Sequence, residues 1–208
     1  MRIKKRNGKL EELNIDNIHR MLEACKRDDL DISVSATAIN AHIKFADGMS
    51  TTDIQKTLIK SAAENITTDT PDYSILAARL LVTEMRKEVY GSFDPLPFLE
   101  YVHLNVEQGL YDSAILEYYS DEEIEILGDL IDYENDLHRP YSSIVQMDSK
   151  YLIKDAKTDR RLEMIQEIFM LIPMVIFAKE TDRMTYIKDF YTALKDDKIS
   201  LPTPIISG

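Results

Sequence analysis

Apolar side chains recur at spacings of three and four along most of this chain, and that repeat confines it to a mainly helical fold. Ile18, Met21, Leu22 and Cys25 form one such stripe. Ile54, Leu58, Ile59, Ala62 and Ala63 form a second, and Ile75, Leu76 and Leu80, with Arg79 and Thr83 at the same helical spacing, a third. Six Gly and seven Pro in 208 residues leave little material for long loops. Only the start departs from the repeat. Residues 1 to 15 run RIKKR, Asn7-Gly8, KLEELNI, a pattern that predicts a β-hairpin closed by a type I′ turn.

The punctuation of the chain places the helices. Asp16 is the expected N-cap of the first. Ser33 or Ser35 opens a second that reaches Phe45 and is broken by Asp47-Gly48, and Thr51 or Thr52 caps a third over residues 53 to 65. A fourth is expected from Asp72 to Tyr90. The segment GSFDPLP at 91 to 97 joins a helix stop to two prolines and is the best candidate for a domain boundary. Beyond it the pattern predicts helices at 96 to 109, 113 to 118, 121 to 133, 161 to 179 and 181 to 194, with Pro173 kinking the fourth of these. Residues 138 to 146 read as irregular, KYLIKD as a strand turning at Asp155 to Asp159, and KISLPTPIISG as a strand leaving a helix.

Charge and cysteine content narrow the function. A net charge of -12 argues against a surface built to grip nucleic acid. The longest apolar run, FMLIPMVIFA at 169 to 178, is too short to span a bilayer, and no apolar leader follows Met1, so no membrane role and a cytoplasmic location are expected. Cys25 alone gives neither a disulfide nor a cysteine-rich zinc site and is expected as a buried helix residue. His19, His42, His103 and His138 are scattered, and the acidic run Asp121, Glu122, Glu123, Glu125 suits a helix start better than a divalent ion. No catalytic residue and no metal site are therefore assigned. What stands out is Lys4, Lys5, Arg6 and Lys9 clustered in an acidic chain. Such a cluster suits a phosphate, and equally suits an edge strand guarded by lysines.

Three segments carry a resemblance. KKRNGKLEELNIDNIHR at 4 to 20 resembles the opening of the ATP-cone, a regulatory domain of many ribonucleotide reductases. DGMSTTDIQKTLIKSAAENI at 47 to 66 and PDYSILAARLLVTEMRKEVYGSF at 71 to 93 resemble the remaining cone helices of the class I large (alpha) subunit. GLYDSAILEYYSDEE, SKYLIKD and YIKDFYTALKDDKISLPTPIISG extend the likeness across essentially the whole chain. The resemblance implies a fold that is mainly α with a small β component. Residues 1–92 would be an ATP-cone, a β-hairpin capping a four-helix bundle. Residues 93–208 would be the leading helical segment and first strand of a ten-stranded α/β barrel.

It also implies roles. Lys5 and Lys87 match lysines that hold nucleotide phosphates, Glu11 and Asn14 match positions that read the base and support its loop, and Thr51 matches a nucleotide contact at the start of the third helix. Thr203 matches a residue that receives the substrate diphosphate. Asn17 and Gln55 depart from the pattern, standing where many relatives have lysine and histidine. The implied ligand is ATP or dATP as allosteric effector, with Mg2+, and no redox cofactor or metal centre held by this chain. The implied partners are the complementary C-terminal part of the large subunit, which supplies the catalytic cysteines missing here, and the radical-generating small (beta) subunit. The expected function is thus the N-terminal part of a ribonucleoside-diphosphate reductase, separately encoded or truncated and inactive alone. The alternative is a free-standing nucleotide-binding regulatory or interaction module.

Overall fold

The computed structural model describes residues 1–206. The chain divides into two compact units, Met1–Met85 with Asp136–Gln146, and Arg86–Asn135 with the residues from Met147 onward. Each is predominantly helical, and the two strands of the only sheet among the described residues lie in the first.

In the first unit β1 (Arg2–Lys4) pairs antiparallel with β2 (Leu10–Glu12) in the register Arg2↔Glu12, Ile3↔Glu11, Lys4↔Leu10. The hairpin is as expected, but its turn is not type I′. The Gly8 amide donates to the Lys5 carbonyl at 2.9 Å and the Lys5 amide to the Lys9 carbonyl at 2.8 Å. Gly8 has φ +83, while Asn7 is not among the residues with positive φ. This is a three-residue loop ending in a glycine bulge. Asn7 explains the choice: its Oδ1 accepts the Lys9 amide at 3.1 Å, an Asx turn formed without the left-handed conformation.

Four helices follow: α1 (Ile15–Lys26), α2 (Val34–His42), α3 (Thr51–Glu64) and α4 (Tyr73–Val89). Their caps lie slightly upstream of most of the expected ones. Asn14 rather than Asp16 caps α1, its Oδ1 accepting the Asp16 amide at 2.8 Å. Ser33 caps α2, and Ser50 rather than a threonine caps α3, its Oγ accepting the Asp53 amide at 3.0 Å. α2 packs against both α1 and α3, and the apolar stripes face inward, with Leu22, Leu58, Leu76 and Leu80 fully buried. Cys25 is buried, as its place in the first stripe implies. Leu76 to Val82 of α4 is buried without interruption, Arg79 included, which marks this stretch as the centre of the unit.

The second unit contains α5 (Phe98–Glu107), α6 (Ala114–Tyr118), α7 (Asp121–Gly128), α9 (Ile165–Ile176), α10 (Arg183–Lys195) and α11 (Thr203–Ile206), with α8 (Tyr141–Lys150) beginning among residues of the first unit and ending here. The acidic run does open α7, where Ser120 and Glu123 form a capping box. α5 packs on α7, and α9 on α10. Pro173 lies within α9 and does not end it.

Three expectations in this part are corrected. Residues 141 to 146 are helical, the first turns of α8. KYLIKD forms no ladder, because α8 persists to Lys150 and only an isolated bridge, Lys154↔Arg161, flanks the Asp155 to Asp159 turn. SLPTPI is not a strand either. Residues 203 to 206 form the short helix α11, since Pro202 and Pro204 offer no ladder donors and no strand is available to pair among the described residues. Ser207 and Gly208 lie outside the described residues.

Candidate functional site

The basic hairpin is joined to the start of α3 by backbone bonds. The Lys4 amide donates to the Met49 carbonyl at 2.9 Å, the Gly48 amide to the Arg2 carbonyl at 2.8 Å, and the Arg2 amide to Asp47 Oδ1 at 2.6 Å. An isolated parallel bridge pairs Lys4 with Ser50. Thr51, the first residue of α3, therefore lies beside β1, where the uncapped amides of a helix start favour an anion. Asp47-Gly48 does more than break α2: its carboxylate and amide clasp the hairpin, and Gly48 has φ +81.

Side chains alternate along β1, so Lys5 is on the same face as Ile3, which is buried, and Ile3 is directly opposite Glu11. Lys5 and Glu11 meet as a diagonal cross-strand pair, Nζ to Oε2 3.3 Å, with side chains 37% and 52% exposed. Asn14 follows β2 by two residues and spends its Oδ1 on the α1 cap. Lys5, Glu11, Asn14 and Thr51 are thus all held by the hairpin or by the helix starts it adjoins.

The other expected residues fall elsewhere. Lys87 belongs to the second unit, its ammonium 3.9 Å from the centroid of the Phe93 ring. Thr203 opens α11, exposed, with its hydroxyl 3.5 Å from that of Tyr151. Gln55 is buried and donates its Nε2 to the Leu80 carbonyl at 2.9 Å, tying α3 to α4. Asn17 is exposed and accepts from Arg20.

Arg79 was visible in the sequence only as one member of an apolar stripe. It is 2% exposed and binds the carbonyls of Cys25 and Lys26 at the end of α1, the Leu137 carbonyl, and both oxygens of Asp29. The guanidinium holds the Asp29 carboxyl down to about 2. In the second unit Arg161 plays a comparable part, gripping Asp148 and Glu88. Burial pushes the Glu163 carboxyl up. Arg79 and Arg161 organise the helices, and their charges are satisfied by protein partners.

Among the described residues no cluster of three or more His, Cys, Asp or Glu is placed to hold a metal ion, and no helix is long and apolar enough to cross a membrane. What the hairpin presents is a set of cations, hydroxyls and backbone amides at a helix start, an arrangement suited to polyphosphate.

Residues 1–88 match the family model of the ATP cone domain, and residues 138–208 that of the ribonucleotide reductase all-alpha domain. The chain thus carries an ATP cone domain and a ribonucleotide reductase all-alpha domain, and the relatives it resembles are ribonucleoside-diphosphate reductase alpha subunits. It is 40% identical, over 99% of its length, to the ribonucleoside-diphosphate reductase 1 subunit alpha of Escherichia coli, of which it covers 27%. The subunit alpha of Enterobacteria phage T4 is 42% identical over 78% of this chain and 22% of the relative. That of Helicobacter pylori is 30% identical over 98% and 25%. The chain therefore spans about a quarter of the length of the relatives it matches. The hairpin and the start of α3 both fall inside the ATP-cone match.

Proposed function

We propose that this chain is the effector-binding N-terminal part of a ribonucleoside-diphosphate reductase alpha subunit, taking up ATP or dATP as MgATP or MgdATP at its cone and so regulating deoxyribonucleotide synthesis. The observation that carries the reading is the fastening of a lysine-bearing hairpin to the N-terminus of α3 within the ATP-cone match. Lys5 supplies charge to the phosphates, Thr51 a hydroxyl at the helix start, and Glu11 and Asn14 directional hydrogen bonds for the base and the loop around it. Lys87 is proposed as a second phosphate lysine, to be tested by its own variant. Thr203 is proposed to receive the substrate diphosphate. Reduction itself then requires what the longer relatives carry beyond the aligned quarter, together with the radical-generating small subunit, in the cytoplasm.

Calorimetric titration of the chain with MgATP and MgdATP tests this reading. Saturable binding at one site is expected, weakened roughly tenfold or more in Lys5→Ala, as removal of one charge-assisted phosphate contact implies. A folded chain that binds neither nucleotide would refute it.

A further inference from the structure

The Lys5–Glu11 ion pair has a consequence for what the cone accepts. Lys5 Nζ is engaged by Glu11 Oε2 at 3.3 Å, and the carboxylate both partly neutralises the ammonium and repels a phosphate drawn to it. Strand register fixes the Glu11 backbone opposite Ile3, so its carboxylate stays within reach of the Lys5 ammonium. Any anion arriving at Lys5 must break or weaken the pair and leave Glu11 without its cation.

We propose that this pair is a selectivity latch, which makes the site favour a whole nucleotide over bare polyphosphate. The inference rests on the effector reading above, in which Lys5 serves the phosphates and Glu11 the base. A nucleoside triphosphate brings two replacements at once, phosphate oxygens for Lys5 and base donors for Glu11. Inorganic triphosphate brings only the first, so it opens the pair at full cost. Glu11 thereby acts twice, as a recognition group when a base is present and as a competitor when none is.

The test compares inorganic triphosphate with ATP, by calorimetry on the full chain, in wild type, Glu11→Gln, Lys5→Ala, the Lys5→Ala/Glu11→Gln double variant and Glu12→Gln. Glu12 is the neighbouring acid, directly opposite Arg2 and on the other face of the hairpin, so its variant controls for the loss of one negative charge. Glu11→Gln is expected to tighten triphosphate binding roughly two- to five-fold, the size of an exposed ion pair. For ATP the gain is offset by the weaker acceptor, so the preference for ATP over triphosphate narrows. The gain should vanish in the double variant and be absent from Glu12→Gln. A chain that binds ATP but whose triphosphate affinity is neither raised nor brought out by Glu11→Gln overturns the latch and leaves the effector reading intact. An equal gain from Glu12→Gln, or one that survives without Lys5, also overturns it. Failure to bind ATP at all removes the effector reading and the latch with it.

Discussion

Arg79→Ala should be among the most damaging single substitutions in the first unit. The side chain is 2% exposed and ties three places together: the C-terminal carbonyls of α1 at Cys25 and Lys26, the Asp29 carboxylate, and the Leu137 carbonyl. Truncation strips the donors from all of them. Asp29 is 47% exposed and regains water, so its share of the loss is small. The carbonyls of Cys25 and Leu137 sit in buried bonds, and each acceptor left without its donor costs about 1 to 3 kcal/mol. With the void left by a large side chain, the expected loss is about 3 to 5 kcal/mol. Urea unfolding followed by circular dichroism measures it, and amide exchange in α1 and α4 localises it. Arg79→Lys keeps the charge but not the fork, and should recover less than half of the loss. Asp29→Asn should cost about 1 kcal/mol or less. A loss below about 1 kcal/mol in Arg79→Ala would refute the reasoning, as would Asp29→Asn proving equally costly.

Further outcomes follow from other contacts. Gly128→Ala should destabilise the second unit by about 1 to 3 kcal/mol, because the new Cβ would lie 2.7 Å from Phe98 Cβ where α7 meets α5; unchanged stability would mean these helices part readily. Asn14→Ala should cost about 1 kcal/mol through the α1 cap, whereas Asn14→Ser keeps a capping oxygen and the melting temperature. If Asn14 also reads the nucleotide, Asn14→Ser still weakens ATP binding in titration. The pH dependence has a definite sign: Asp29 is lowered in the fold to about 2 from 3.8, so its contribution is present above about pH 4 and is lost as pH falls towards 2. Acid titration monitored by circular dichroism should show that loss in the wild type and a flatter curve in Asp29→Asn.

The helices were legible because burial imposes a period that the sequence must carry, and Leu22, Leu58, Leu76 and Leu80 are buried as their stripes require. Caps were less legible, since several polar residues crowd each helix start and only geometry chooses among them: Ser50, Thr51 and Thr52 are adjacent and all can cap. KYLIKD and SLPTPI misled for a different reason. A strand is a property of a pair, and these segments have β-forming residues without a partner among the described residues to complete a ladder. Arg79 hid within an apolar stripe because the groups that satisfy it, carbonyls at positions 25, 26 and 137, leave no side-chain signature.

The site shows how much one turn decides. An Asn7-Gly8 loop of two residues would pair Lys4 with Glu11 and put Glu12 on the face shared by Ile3 and Lys5. The three-residue loop shifts the pairing by one, so Ile3 faces Glu11 and the acid on the Lys5 face becomes Glu11. A slip of one residue exchanges every side chain between faces. The small asymmetry of Asn7 accepting the Lys9 amide therefore selects which acid competes for Lys5. If the turn were re-engineered to the two-residue form, Glu12 would inherit that role and Glu11→Gln would lose its effect on triphosphate binding.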